Sequence, residues 1–235
     1  MLLISIDTLR ADHLGCYGYG RPTTPALDRI ASEGVLFEWA FAPSPWTLPS
    51  HASLMTGTHP STHGAVDIID RLSDDAPTVA GAFRAAGYRT AGFVNSGFLL
   101  PKFGIGNGFE EYRQTTSVKR GTRRIVKTAV DWLRRNGDRP FFLFVHTYEP
   151  HVPYIDARFA EGSPPGRVGA IFDLDLRSSI WEGKFTPTEE EKSYIRALYD
   201  GDIAFADEEL GRLFKWLEGV GWLDRMIIAV VSDHG

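Results

Sequence analysis

The apolar residues of this chain fall into short continuous runs, and longer segments with helical spacing lie between them. Apolar runs that are too short for a helix and are bounded by turn residues are typical of buried strands. These runs predict strands at residues 1–6, 35–41, 88–94, 140–148 and 226–231. Capping residues, an early Pro or a closing Gly predict helices at residues 23–34, 77–87 and 122–135, and one long or broken helix at residues 186–220.

The alternation of strands and helices predicts an α/β fold. Strands that are apolar on both faces are typical of a mostly parallel central sheet with helices on both faces. Residues 97–121 and 155–184 carry Gly, Pro and charged residues with weak periodicity, so we expect loops there. The sequence has 235 residues and no internal repeat, and we expect it to form one domain, residues 1–235.

Composition and charge narrow the classes of partner. Acidic residues outnumber basic ones by 30 to 25, and the formal charge of −5 argues against binding of nucleic acid or anionic lipid. The apolar runs are far shorter than a membrane span, so we expect no transmembrane segment in this sequence. The single cysteine, Cys16, excludes an internal disulfide.

Both ends of the sequence coincide with predicted core strands. Exposed strand edges are hazardous, so an intact domain rarely starts and stops on them. We therefore expect the N-terminal portion of a longer domain that is incomplete at its C-terminus. The first residues do not have the pattern of a signal peptide, and the sequence does not assign a compartment.

Polar residues stand at the ends of three predicted strands. Asp7 follows the first strand, His151 lies just beyond residues 140–148, and Asp233 and His234 follow the last strand. Ligands of open α/β sheets collect at the carboxyl ends of the strands. One carboxylate in such a place is as often a helix cap, but three polar clusters at one edge are harder to explain that way. Asp7, Asp233 and His234 offer two oxygen ligands and one imidazole, which suits a divalent cation.

Thr47 lies just before a second candidate feature, a helix that Pro49 is expected to start. A helix N-terminus carries free N–H groups and favours an anion. A hydroxyl there, beside a cation, is a potential nucleophile. By spacing alone, an N-cap is the simpler interpretation of Thr47.

Four segments together resemble sulfatases of the alkaline phosphatase superfamily. They are residues 6–15, 47–57, 142–154 and 232–235, in the same order as in that family. Residues 47–57 are similar to the Cys-x-Pro-Ser-Arg nucleophile signature, and residues 149–154 resemble the Asp-Pro-His-x-Pro-Tyr segment. The resemblance implies an alkaline-phosphatase-like α/β fold with one divalent cation at the strand ends.

The resemblance also implies roles for individual residues. Asp7, Thr47, Asp233 and His234 would bind the cation, which is Ca, Mg or Mn, with Zn not excluded. Thr47 would be the nucleophile, and His151 would contact the ester or the leaving group. Asn95 and Arg10 are the predicted substrate contacts, and His51 would orient or protonate a reacting group.

The departures from the sulfatase signature change the expected chemistry. Thr47 stands where sulfatases convert a Cys or Ser to formylglycine, so we expect no formylglycine here. A Thr at this place resembles phosphate-transferring relatives, in which it forms a phospho-enzyme. His51 replaces the signature Arg, and Thr8 replaces a second aspartate. The Gly-Lys-x-His segment of the family is absent, and Asn95 is the substrate contact left in its place.

These observations predict a metal-dependent hydrolase of sulfate or phosphate esters, acting on a small-molecule, glycan or lipid ester. One alternative is a phosphoglycerol or phosphoethanolamine transferase, and another is a non-catalytic sulfatase-like binding protein. The remaining polar and aromatic residues are expected to have structural roles. His59, His63 and His146 are interpreted as packing residues, and the tryptophans, including Trp39 and Trp181, as packing anchors. The acidic series Asp200, Asp202, Asp207, Glu208 and Glu209 is interpreted as a solvated helix face.

Overall fold

A five-stranded parallel sheet forms the centre of the molecule. The structure, a computed structural model, describes residues 1–115, 120–169 and 172–235. The strands are β1 (Leu2–Ile6), β2 (Arg89–Val94), β3 (Glu111–Gln114), β4 (Phe141–Thr147) and β5 (Ile228–Ser232). Their order across the sheet is β3-β2-β4-β1-β5, and every pair is parallel. The predicted α/β class with a parallel sheet is confirmed.

Helices connect the strands and cover the sheet. They are α1 (Pro25–Ser32), α2 (Thr47–Thr56), α3 (Pro60–His63), α4 (Val79–Ala85), α5 (Gly121–Asn136), α6 (Leu174–Trp181) and α7 (Glu189–Gly219). The predicted long helix is continuous, and a capping box between Thr188 and Glu191 fixes its start. No helix in the described part of the chain has the length and apolar character needed to cross a bilayer.

The sheet is buried on both faces because alternate strand residues point in opposite directions. In β1, Leu2 and Ile4 pack into a core that includes buried residues of α5 and α7. Leu3, between them, points to the other face and packs in a core that contains residues of α2 and α4. This arrangement explains why the strands have continuous apolar runs instead of an alternating pattern, and it confirms the prediction of helices on both faces.

The strand predicted at residues 35–41 is wrong. These residues are fully described and form no strand. Val35, Trp39 and Phe41 are 80%, 80% and 84% exposed, so Trp39 is not a packing anchor, and neither is Trp181, which is 88% exposed. Apolar and aromatic residues make a strand only where a neighbouring strand accepts their backbone hydrogen bonds.

The two predicted loops contain regular elements that the sequence pattern missed. Strand β3 lies within residues 97–121, and α6 lies within residues 155–184. Both are short, and neither has a continuous apolar run. Helix α6 starts where Asp173 accepts a hydrogen bond from the Leu176 N–H. Residues 116–119 and 170–171 of these loops lie outside the described residues.

The acidic series of α7 is buried, contrary to the predicted solvated face. Only Glu208 is exposed. Asp200, Asp202, Asp207 and Glu209 are at most 2% exposed. The Asp207 carboxylate accepts hydrogen bonds of 2.9 and 2.8 Å from the backbone N–H groups of Ala26 and Leu27, at the start of α1. These acidic side chains therefore join α7 to the elements packed around it.

The substitution Asp207→Ala is expected to lower the free energy of unfolding by about 1–3 kcal/mol, because two N–H groups at the start of α1 lose their acceptor. Urea unfolding followed by circular dichroism measures this loss. Glu208→Ala, at the exposed neighbour, is the matched control and is expected to cost less than about 1 kcal/mol. Equal losses for the two variants would contradict the role of Asp207 as the cap of α1.

Candidate active site

The strand register brings Asp7 and Asp233 together. Ile6 lies opposite Ser232 in the pairing of β1 with β5, so the next residues of the two strands, Asp7 and Asp233, are neighbours at the carboxyl edge. Asp7, Asp233 and His234 each offer a ligand atom within 4.8 Å of the others. Both aspartates are at most 2% exposed. The predicted ligands from opposite ends of the sequence thus meet at one place.

The oxygen atoms of these two carboxylates have too few partners. Asp233 Oδ1 accepts hydrogen bonds from the N–H groups of Thr8 and His234, at 3.1 and 2.8 Å. Both oxygens of Asp7 and Oδ2 of Asp233 are buried and have no hydrogen-bond partner among the residues that the structure describes. Burial, followed by the adjacent charge of Asp233, raises the pKa of Asp7 to about 7. A divalent cation would supply the missing partner and the missing positive charge, so these residues fit the cation that was predicted.

The backbone at Thr8 is strained in a way that shapes this edge. Thr8 has a φ of 55°, in the left-handed region that non-glycine residues rarely adopt. Its N–H reaches Asp233 Oδ1, and its carbonyl accepts a hydrogen bond of 2.7 Å from the Tyr199 hydroxyl. Two long-range contacts therefore hold this conformation beside Asp7.

Thr47 is the first residue of α2, which begins two residues earlier than predicted. Its N-cap, Trp46, makes no side-chain capping hydrogen bond. The Ser50 hydroxyl donates a 2.6 Å hydrogen bond to the Asp233 carbonyl. This bond joins the first turn of α2 to the edge that carries Asp233. The positive end of the helix therefore lies at the same site as the two carboxylates.

His51 and His146 lie beneath this edge, and both are fully buried. Their ring centroids are 5.0 Å apart. His51 Nδ1 lies 2.8 Å from the Thr47 carbonyl oxygen, and its Nε2 lies 2.9 Å from Ser5 Oγ. Burial lowers the pKa of both histidines to about 4, with a further effect of His146 on His51. Both rings are therefore neutral near pH 7.

The prediction that His146 is only a packing residue missed its position. His146 Nε2 lies 3.6 Å from Asp7 Oδ2, and it has no hydrogen-bond partner. The strand register indicates this position, because His146 stands opposite Ser5 in the pairing of β1 with β4, two residues before Asp7. Without that register, a histidine in an apolar run is indistinguishable from a core residue.

The turn after β4 presents His151. Its ring stacks on Tyr148 with centroids 4.4 Å apart, and its Nδ1 lies 2.8 Å from the Val152 carbonyl oxygen. The buried Glu149 carboxylate accepts hydrogen bonds from the N–H groups of Gly121 and Thr122, at 2.8 and 3.1 Å. Glu149 thereby fastens this turn to the start of α5, a role that sequence reasoning did not assign.

The two predicted substrate contacts occupy different surroundings. Asn95 follows β2, is 4% exposed, and its side-chain nitrogen Nδ2 has no hydrogen-bond partner. Arg10 is exposed and forms an ion pair with Asp12 at 2.6 Å. Arg10 also lines an open cavity of about 980 Å³ that includes Asp233 and His234. Asn95 is therefore a buried residue, whereas Arg10 stands at the solvent side of the cavity.

Comparison with known proteins identifies the family of this chain. A family model described as Sulfatase matches residues 1–235. The chain belongs to the sulfatase family. It is 27% identical to an arylsulfatase of Clostridium perfringens and 24% identical to an iduronate 2-sulfatase of Homo sapiens, each over the whole of this chain. It spans 62% and 54% of the lengths of those two proteins.

Solved structures of sulfatases and of a phosphonate monoester hydrolase share this fold. A 2-O GAG sulfatase superposes with a TM-score of 0.78 at 20% identity, over 100% of this chain and 57% of that one. The phosphonate monoester hydrolase of Agrobacterium radiobacter superposes with a TM-score of 0.74 at 22% identity, over 100% of this chain and 62% of that one. The alkaline-phosphatase-like fold predicted for this chain is confirmed.

Asp7→Asn is expected to weaken binding of a divalent cation by at least about 100-fold, because the amide removes one of two negative charges at the site. Equilibrium dialysis of the chelator-treated protein against Mn²⁺ or Ca²⁺ measures the dissociation constant. Asp131→Asn, at a half-buried carboxylate on α5 that pairs with Lys127, is the control and is expected to bind as the unchanged protein does. Equal cation affinities for the two variants would show that Asp7 is not a ligand of the cation.

Proposed function

We propose that this chain forms the core of a metal-dependent hydrolase of sulfate or phosphate esters, with Thr47 as the nucleophile. The observation that carries the proposal is the pair of buried carboxylates, Asp7 and Asp233, whose unpartnered oxygens lie beside the first turn of α2. Membership of the sulfatase family supports the reaction class. Relatives named as an arylsulfatase and as PehA of Trinickia caryophylli, a multifunctional alkaline phosphatase superfamily protein, are each 27% identical to it.

Asp7, Asp233 and His234, together with the Thr47 hydroxyl, would hold one divalent cation. Oxygen ligands with a single imidazole suit Ca²⁺, Mg²⁺ or Mn²⁺, and Zn²⁺ also accepts such a set. When bound, the cation would stabilise negative charge on the nucleophile and on the ester oxygens. A threonine hydroxyl is a weak nucleophile at neutral pH, so it needs such help.

The Thr47 hydroxyl would lose its proton to water, and its Oγ would attack the phosphorus or sulfur atom of the ester. The bond to the leaving alcohol oxygen would break as that oxygen takes a proton from the protonated His151 ring. The free N–H groups at the start of α2 favour the negative charge of the ester. Water would then hydrolyse the covalent adduct on Thr47. This second step is ordinary for a phosphoester. Formylglycine releases sulfate by elimination from its second hydroxyl, which Thr lacks, so the chemistry of Thr47 favours phosphate-type esters.

The neighbouring histidines would have different roles. His151 donates its Nδ1–H to the Val152 carbonyl, which leaves Nε2 to carry a proton to the leaving group. His51 is fully buried and bonded to the Thr47 carbonyl, so it is better placed to position Thr47 than to deliver a proton. Asn95 would contact an ester oxygen through its free amide, and Arg10 would meet the outer part of the substrate.

Thr47→Ala is expected to lower kcat by at least about 1,000-fold, because the attacking hydroxyl is lost. Thr47→Ser keeps the hydroxyl and is expected to retain activity within about 100-fold. The measurement uses the full-length protein with a panel of aryl sulfates, phosphate monoesters and phosphate diesters. Intact-mass spectrometry of acid-quenched reactions is expected to show the phosphoryl adduct on the unchanged protein and to lose it in Thr47→Ala.

The outcomes separate the proposal from its alternatives. Hydrolysis of the panel together with the adduct supports the hydrolase. An adduct that is resolved only by transfer to an added alcohol supports a phosphoglycerol- or phosphoethanolamine-type transferase. Cation binding without either adduct or turnover supports a non-catalytic binding protein. Full activity of the Thr47→Ala variant would show that Thr47 is not the nucleophile.

Asn95→Ala is expected to lower kcat/KM by about 10- to 100-fold, because a hydrogen bond to a charged oxygen is lost. Steady-state kinetics on the best ester of the panel measure this ratio. Asn136→Ala, at the end of α5, serves as the control because its side chain bonds to the Trp132 carbonyl. An unchanged kcat/KM in Asn95→Ala would exclude a substrate contact at this position.

A further inference from the structure

The Tyr199 hydroxyl, near the middle of α7, holds the segment that follows β1. It donates a 2.7 Å hydrogen bond to the Thr8 carbonyl and accepts a 2.9 Å hydrogen bond from the Arg10 N–H. Tyr199 is only 6% exposed, and burial raises the pKa of its hydroxyl, so the proton that it donates is retained. One buried side-chain atom thus bridges two backbone groups directly after Asp7.

The Tyr199 ring is itself fixed on two sides. It meets the His13 ring edge-on, with centroids 4.9 Å apart, and the centroid of the Tyr154 ring lies 5.3 Å away. The next residue of α7, Asp200, is fully buried. Its carboxylate lies 2.6 Å from His13 Nδ1 and accepts a 2.7 Å hydrogen bond from the Tyr19 hydroxyl. Two consecutive residues of α7 therefore hold the loop after β1 at several points.

Thr8 is the residue through which this bridge reaches the candidate site. Its φ of 55° is unfavourable for a β-branched residue, and such a conformation persists only where the surrounding contacts impose it. Its N–H donates to Asp233 Oδ1 at 3.1 Å, while its carbonyl is held by Tyr199. Without the bond to Tyr199, residue 8 would relax towards a negative φ. That change would shift the peptide groups on both sides of it, including the N–H that Asp233 accepts.

The same shift would reach Asp7. Asp7 and Thr8 share a peptide group, and the Asp7 N–H is fixed from the other side by a 3.0 Å hydrogen bond to the Thr147 carbonyl. The Asp7 carboxylate has no hydrogen-bond partner of its own among the described residues, so its place is set by the backbone that carries it. A change at Thr8 would therefore alter the arrangement of both carboxylates, and cation affinity depends on how such ligands are oriented.

We infer that Tyr199 is a positioning residue of the cation site. Its hydroxyl keeps Thr8 in the left-handed conformation, and this conformation holds Asp7 and Asp233 together for a divalent cation. Tyr199 acts through the backbone of residue 8 and is not itself a ligand. The inference rests on the cation site of the proposed function, but it does not require Thr47 to be the nucleophile.

The test measures cation affinity in the full-length protein, by equilibrium dialysis of the chelator-treated protein against Mn²⁺. Tyr199→Phe keeps the ring and removes the hydroxyl. It is expected to raise the Mn²⁺ dissociation constant by about 10- to 100-fold, the loss typical of a group that orients a metal ligand. Circular dichroism of the variant checks that its fold is retained.

Tyr112→Phe is the matched control. The Tyr112 hydroxyl donates a 2.8 Å hydrogen bond to the Leu99 carbonyl, and Tyr112 belongs to β3, at the opposite edge of the sheet from β5. The control therefore removes the same kind of bond far from the cation site. It is expected to leave the Mn²⁺ dissociation constant within about 2-fold of the unchanged protein, because distant sites act independently.

A substitution at residue 8 separates positioning from a general loss of stability. Glycine adopts a positive φ without the strain that Thr8 bears, so Thr8→Gly removes the need for Tyr199 to impose the conformation. Thr8→Gly alone is expected to bind Mn²⁺ within about 3-fold of the unchanged protein. Adding Tyr199→Phe to Thr8→Gly is expected to cost less than about 3-fold in affinity, compared with at least about 10-fold when Thr8 is present.

The outcomes distinguish this inference from the proposed function. An unchanged Mn²⁺ dissociation constant in Tyr199→Phe would overturn the positioning role while the cation site stands. An equal loss for Tyr199→Phe in both backgrounds would overturn it as well. Thr8→Gly alone gives a result that does not depend on the folding of Tyr199→Phe, and a loss of about 10-fold or more there would show that the Thr8 side chain, and not its backbone, matters. If the unchanged protein binds no cation, the proposed function and the inference are both wrong.

Discussion

Two carboxylates, Asp7 and Asp233, are buried side by side at the carboxyl edge of the sheet, and the organisation of the site depends on how their charge is balanced. Two such charges about 5 Å apart repel by about 3 kcal/mol at an effective dielectric constant of about 20. The buried histidines around them are neutral near pH 7 and supply no counter-charge. Backbone N–H groups reach only one oxygen, Asp233 Oδ1. Within the described residues, the negative charge of this pair is left without a positive partner, and a cation would balance it.

Two departures from the sulfatase signature, at Thr8 and His51, have opposite effects on the charge of the site. Thr8 stands where the family pattern has a second aspartate, and His51 stands where it has an arginine. One negative and one positive charge are thus absent together, and the formal charge of the site is unchanged. Asp7, Asp233 and His234 remain as the group whose ligand atoms lie together. Two carboxylates with one imidazole suit Ca²⁺, Mg²⁺ or Mn²⁺, and Zn²⁺ also accepts such a set.

The sequence predicted the parts of the site that follow strands, because parallel strands bring their carboxyl ends to one edge whatever their order. Asp7, Asp233 and His234 could be recognised in this way. His146 could not, since it lies inside an apolar strand and its meaning depends on the register with β1. The burial of the acidic residues of α7 was not predicted for a related reason. Helical spacing does not indicate how many faces of a helix are covered by other elements. Residues 35–41 have the apolar and aromatic residues typical of a strand but form none, because strand propensity does not show whether a neighbouring strand is available for pairing.

The pairing of β1 with β5 determines when the cation site forms during folding and how readily it opens again. β5 is an edge strand that is only half-buried along its length, whereas β1 is enclosed between two neighbours. The halves of the site come from the first and last strands of the sheet, so a chain that has closed every other strand pair still has no place for an ion. Local opening of β5 would release the ion while the rest of the fold persists. By linkage, an ion bound between Asp7 and Asp233 would stabilise the pairing of β1 with β5.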